Sequence, residues 1–243
     1  MPINTQYNED AVIKSIAISL ENFYANLIAK LDEINIRKIL ERKNPYLFRA
    51  KAMCSAPDIV EAILSAYISS SEETIFGNVF FEPIALAASG GQKSLTEGID
   101  IRIDKDDAIY AIAVKSGTCV FNADSRKRQE QNFLSASKLA QQAKKRFVPI
   151  IGYGYGKKKG SKGASKFYFE YAGKDFWFEI TGDENFYLKL VNFMGNLPEQ
   201  YSDQFKVSYQ KAMNRLIKEF TNEFCLDDGT INWEKIIKFN CEN

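Results

Sequence analysis

The chain has 243 residues, of which 45% are hydrophobic and 13% aromatic, enough for one large domain or one core with a helical annex. It contains no histidine, which removes His-dependent triads, H-E-x-x-H metalloenzymes, HNH-type nucleases and histidine phosphotransfer. Acid–base chemistry must fall to carboxylates, lysine, tyrosine, cysteine or a metal-bound water.

The net charge is only +1. Yet the stretch from Arg126 to Lys166 holds twelve Lys or Arg against one acid, Glu130, so the rest of the chain carries net −10. Such a concentration is the electrostatic footprint of a phosphate-binding surface, with a solvated basic face as the plainer reading. No apolar run approaches the roughly 18 residues of a membrane span, so no membrane association is expected. The start, "MPINTQYNEDAV", lacks a signal-peptide layout. Cys54, Cys119, Cys225 and Cys241 are scattered without a C-x-x-C pair, which fits free thiols in a reducing cytosol.

In chain order, apolar residues recur at three and four from Ile13 to Ile34, and the periodicity predicts helix over 8–42. Pro45 disfavours helix at Asn44, so "KNPYLFRAK" (43–51) reads as a break. A second helix is expected from Ser55, with Pro57 and Asp58 in its first turn. A capping box from Ser70 to Glu73 marks the head of a third. "IDIRI" and "AIYAIAVKS" read as strands joined by the polar turn Asp104-Lys105-Asp106-Asp107.

A basic helix over 123–147 and an apolar strand over 148–156 follow, an order that suggests a crossover in a mixed sheet. "GKKKGSKGASK" fails the P-loop and Rossmann spacings and reads as a basic loop, either over a phosphate backbone or in solvent. "FYFEYAGKDFWFEI" (167–180) alternates around Ala172-Gly173-Lys174 and predicts a hairpin. Helices over 184–194 and 199–223 and a tail around Trp233 close the chain.

Asp100 precedes the first strand and Lys115 ends the second, so a hairpin can bring carboxylate and ammonium together. That pair suits phosphodiester hydrolysis: the carboxylate holds a metal, and the lysine orients water or offsets transition-state charge. A structural salt bridge is the other reading of the same pair. A lysine at a buried strand end keeps its charge when carboxylates stand nearby.

Asp100 with "AVKSG" resembles the core of the PD-(D/E)XK nuclease superfamily. The order of "RKNPYLFRAK" (42–51), "SSSEETIFG" (69–77), "EGID" (97–100), "KSG" (115–117) and "FWFEITGDENFYLKLVNFMG" (176–195) resembles type II restriction endonucleases of the PmeII type. The likeness spans roughly residues 36 to 197 of the chain. It implies an α/β (α+β) fold with a central mixed sheet flanked by helices and with helical additions at both ends. One domain is expected over 1–243: an N-terminal helical part (1–56), a nuclease core (57–182) and a C-terminal helical part (183–243).

The resemblance further implies Mg²⁺-dependent, sequence-specific cleavage of double-stranded DNA, with Asp100 as metal ligand and Lys115 as active-site lysine. It also implies a prokaryotic cytoplasmic setting, a homodimer and a partner DNA methyltransferase. Ala113 departs from the pattern, which expects Asp or Glu there. Glu130, on the following helix, is the first candidate for the displaced acid, and it flanks that helix's apolar stripe while Gln129 falls near its centre. It equally suits a surface pairing with Arg126. Glu97, Glu73 and Glu82 are the further candidates. Arg126, Lys127, Arg128, Lys157, Lys158, Lys159 and Lys162 are the expected DNA contacts. The rival readings are a structure- or damage-directed nuclease and a non-cleaving DNA-binding protein that keeps a degenerate nuclease fold.

Overall fold

The computed structural model describes residues 2–158 and 167–242. In chain order the elements are α1 (Glu9–Glu33), α2 (Ile36–Leu40), α3 (Pro45–Ala50), α4 (Ala56–Val79), α5 (Phe81–Ser89), β1 (Gln92–Lys93), β2 (Ile101–Asp104) and β3 (Ala108–Lys115). Then come α6 (Ala123–Gln142), β4 (Arg146–Tyr153), β5 (Phe169–Ala172), α7 (Lys174–Thr181), α8 (Phe186–Met194), α9 (Leu197–Phe224) and α10 (Trp233–Cys241). None of the described helices is long and apolar enough to cross a membrane.

The first predicted helix divides at Ile34-Asn35, because the Asn35 side chain accepts from Lys38 N and starts α2. The expected break at 43–51 instead contains α3. Asn44 caps it and Pro45 occupies its first turn, where a missing N–H costs nothing. The second and third predicted helices are one, α4: Ser71 Oγ donates back to Tyr67 O at 2.9 Å, so the Ser70 region lies mid-helix and heads no new one. The second arm of the predicted hairpin is α7. After Gly173 the chain coils so that Phe176, Trp177 and Ile180 face one way, and all three are buried.

The chain divides into two compact units, Met1–Asn22 with Phe76–Pro198 and Phe23–Ile75 with Glu199–Asn243. The first holds a five-stranded mixed sheet in the order β1-β2-β3-β4-β5. β1, β2 and β3 pair antiparallel, whereas β3–β4 and β4–β5 are parallel. α6 is the crossover between β3 and β4. Its Phe133 and Ala136 close over Ala111, Ala113, Ile151 and Tyr153 of the sheet. α5 and α7 serve the opposite face, and they come close enough that a Cβ on Gly154 would lie 2.1 Å from Phe81 Cδ1. The second unit is helical, with Ile59, Ile63, Leu216, Phe220 and Ile236 in its core.

Candidate active site

The hairpin of β2 and β3 turns at Lys105, whose N–H donates to Ala108 O at 2.8 Å. Antiparallel register then returns the end of β3 to the start of β2. The Asp100 N–H donates to Ile112 O at 2.9 Å, and its Oδ2 accepts from Val114 N at 2.6 Å. This second bond fixes the Asp100 carboxylate with a backbone donor, so no second side chain is needed to hold it. Lys115 Nζ stands 3.7 Å from Asp100 Oδ2, with the two side chains 28% and 23% exposed. Both therefore face a partly desolvated mouth, where a charge pair still reaches water and ligand.

That mouth is a cavity of about 270 Å³, lined by Gly77, Asn78, Phe81, Glu82, Asp100, Val114, Lys115, Ser116 and Val120. Glu82 arrives there from α5. Phe81, Ile84, Ala85 and Ala88 bury the core stripe of that helix, which leaves Glu82 on its flank. Its carboxylate pairs with Lys93 of β1 at 3.3 Å, an ion pair open to solvent. Glu82 is thus the weighed acid that lines the same cavity as Asp100 and Lys115. Asn78 and Ser116 line it too, and neither was singled out in the sequence.

The other candidate acids lie elsewhere. Glu130 Oε1 accepts from Tyr168 OH at 3.0 Å. Glu97 pairs with Arg128 at 2.5 Å, both largely exposed. Glu73 is an exposed residue of α4 in the helical unit. Ala113 is fully buried in the cluster with Ile99, Phe133, Tyr153 and Tyr168. Its Cβ packs on the α6 side of the sheet, where a carboxylate would displace apolar contacts.

The turn that delivers Asp100 is gripped by α6. Gln129, 5% exposed, donates from Nε2 to Gly98 O at 2.6 Å. Gly98 has φ +73°, and a Cβ there would lie 2.2 Å from Asn132 Nδ2. Only glycine accommodates both the left-handed backbone and the close helix. Gln129 was legible as a polar residue on an apolar stripe, though not as a holder of this turn.

Beside the sheet on the α6 side sits the sole buried charged side chain among the described residues, Glu170 of β5, 5% exposed. It accepts from Tyr153 OH at 2.8 Å, Arg126 Nη1 at 2.9 Å and Lys158 Nζ at 2.6 Å. Arg126 also donates to Tyr168 OH at 3.3 Å and lies over the Phe121 ring. Burial alone would lower its pKa, but the hydrogen bonds to Glu170, Tyr168 and Tyr153 more than offset that and raise it. Burial, then the Glu170 hydrogen bond, raises the pKa of Tyr153, keeping the phenol a donor.

Two of the expected DNA contacts, Arg126 and Lys158, are therefore committed to an internal carboxylate. Lys127, Arg128 and Lys157 are exposed, and Lys159 and Lys162 lie outside the described residues. The cluster explains how a strongly basic segment can fold against the sheet: part of its charge is neutralised inside.

The oxygen donors of Asp100 and Glu82 suit a hard divalent cation that takes one or two carboxylates and completes its shell with substrate phosphate and water. Among the described residues no three Asp, Glu or Cys side chains gather in a metal-holding group. A family model described as "Type II restriction endonuclease EcoO109I" matches residues 10–201. No curated protein matches the chain at a significant level.

Proposed function

We propose that this chain, which belongs to the EcoO109I family of type II restriction endonucleases, hydrolyses phosphodiester bonds of double-stranded DNA at a short specific sequence in a Mg²⁺-dependent reaction. The observation that carries this reading is the Asp100 carboxylate beside the Lys115 ammonium, 3.7 Å apart at the mouth of a cavity shared with Glu82.

Asp100 and Glu82 are the residues assigned to hold Mg²⁺. When bound, the cation acts as a Lewis acid on the scissile phosphate and lowers the pKa of bound water. Asp100 is pre-positioned for this by the Val114 N–H, which spends one lone pair of Oδ2 and leaves Oδ1 for the ligand. Lys115, held by the Asp100 charge, orients the attacking water and offsets negative charge growing on the phosphoryl oxygens as the P–O bond breaks. Glu82 takes the part that Ala113 cannot. It reaches the cavity from a helix on one side of the sheet, while position 113 is sealed on the other.

The finer likeness to the PmeII type belongs to this reading, as do the partners it implies. A two-strand cut at a near-palindromic site is most simply made by a symmetric homodimer. A prokaryotic cytoplasmic enzyme of this kind requires a DNA methyltransferase to protect its own host's DNA. The exposed Lys127, Arg128 and Lys157, with Lys159 and Lys162, are assigned to the phosphate backbone.

The test is incubation of the protein with unmethylated phage DNA, with Mg²⁺ or with EDTA, alongside Asp100→Asn, Lys115→Ala and Glu82→Gln. Discrete Mg²⁺-dependent fragments, lost in all three variants, support the assignment. Fragments that persist in Lys115→Ala remove it.

Ala113 favours one rival, a DNA-binding protein that no longer cleaves. Under that reading the wild type binds DNA with steep salt dependence and leaves it intact under every divalent cation.

A further inference from the structure

The helical unit has its own concavity, of about 410 Å³, formed where α2 and the turn after it face α4. Its lining includes Lys38, Arg42, Lys43, Tyr67, Ser70 and Ser71, with Glu33 as the sole acid. The ion pairs of this unit among the described residues join Arg37–Glu223, Lys206–Asp203, Arg215–Glu219 and Lys238–Glu234. None of the three lining cations takes part. The unit as a whole has 13 Lys or Arg against 15 Asp or Glu, so three cations at one cavity do not reflect a generally basic surface.

The backbone that carries them is rigidly held. Asn35 caps α2, Asn44 caps α3, and Asn240 Nδ2 donates to Leu40 O at 2.8 Å and Lys43 O at 3.0 Å. Ile36 and Leu40 are buried beneath the same turn. The cations therefore project from a fixed frame, and a ligand meeting them need not order a loop. The cavity also presents Ile34, Ile39 and Ala66 with the Tyr67 ring. A cationic rim and an apolar and aromatic floor together match a nucleotide: phosphate for the rim, sugar and base for the floor.

We propose that this concavity binds a DNA strand, with backbone phosphate on Lys38, Arg42 and Lys43 and a sugar or base against Tyr67. It gives a shared role to two segments singled out in the sequence, "RKNPYLFRAK" and "SSSEETIFG", which contribute opposite walls. The inference rests on the DNA-cleavage reading but concerns a separate set of residues.

The experiment is fluorescence anisotropy of a labelled duplex with Ca²⁺ in place of Mg²⁺, over a series of salt concentrations. It compares the wild type, the triple variant Lys38→Ala/Arg42→Ala/Lys43→Ala and Tyr67→Leu, with circular dichroism confirming that each is folded. The triple variant is expected to bind at least about tenfold more weakly and to lose between two and three units of the log–log salt slope, because each released phosphate contact is worth roughly 0.9. Tyr67→Leu is expected to weaken binding with the salt slope unchanged. A folded triple variant with wild-type affinity and slope overturns the concavity and leaves the nuclease reading standing. A wild type that binds no duplex overturns both.

Discussion

Replacing Glu170 by glutamine removes one negative charge from a site that holds two cations and keeps the side chain's volume. The carboxylate is 5% exposed and accepts from Lys158 at 2.6 Å, Tyr153 at 2.8 Å and Arg126 at 2.9 Å. Breaking a buried ion pair at one partner costs about 3–5 kcal/mol, because the surviving charge is left uncompensated. Here Arg126 and Lys158 keep 28% and 24% of their side-chain surface and can partly turn to water, which places Glu170→Gln near the low end, about 3 kcal/mol. For a chain of this length that corresponds to a fall in Tm of roughly 6–12 °C.

The assay is urea and thermal unfolding followed by Trp177 fluorescence in a Trp233→Phe background. Trp177 is buried in the sheet-bearing unit and donates to Gly154 O, so it reports that unit's transition. Adding Arg126→Met should recover part of the loss, with a coupling of at least about 1 kcal/mol, since one unpaired cation is then gone. A Glu170→Gln protein within about 0.5 kcal/mol of wild type, or strict additivity in the double variant, would refute the internal-neutralisation argument.

Four further outcomes are expected. Glu82→Gln should lower the Mg²⁺-dependent cleavage rate by about a hundredfold or more, the usual cost of removing a charge-stabilising group. Glu130→Gln should keep near-wild-type activity and lose less than about 1 kcal/mol of stability, because the amide Oε1 still accepts from Tyr168 and only the charge assistance goes; rates measured across a Mg²⁺ titration decide between them. Gln129→Leu leaves the part-buried Gly98 carbonyl without its donor, costing about 1 kcal/mol. It should also raise the Mg²⁺ concentration for half-maximal cleavage, because the turn that presents Asp100 is loosened. At alkaline pH the fold should weaken through its tyrosines: burial, then the nearby Glu179, Asp175 and Tyr110, pushes Tyr171 up to about 12. A phenol with a raised folded pKa contributes stability that is complete below about pH 10 and disappears as pH climbs towards 12. Tyr171→Phe should flatten that fall, as read by phenolate absorbance during a pH titration.

Sequence alone determined the parts governed by local periodicity and by the type of residue present. The alternation of "IDIRI" and "AIYAIAVKS" set β2 and β3, and a polar turn between them sufficed to bring Asp100 to Lys115. Absence of histidine limited the chemistry, and the amphipathic runs yielded α8 and α9 close to their observed bounds, whereas the basic helix expected over 123–147 stops at Gln142 and β4 begins at Arg146. Tertiary structure decided what depends on residues far apart in the chain. Phe176, Phe178 and Ile180 suit a strand by alternation, Phe176, Trp177 and Ile180 suit a helix by spacing, and with β5 paired parallel to β4 the segment forms α7.

The acid proposed in place of position 113 follows the same logic. Glu130 is near Lys115 in sequence, but Tyr168 of a distant segment claims it. Glu82, 18 positions before Asp100, lines the cavity because α5 buries its stripe against the sheet beside it. Glu170 had no local signature at all. Its partners come from α6, β4 and the start of the basic loop, and a buried charge is tolerated only when such long-range partners converge on it.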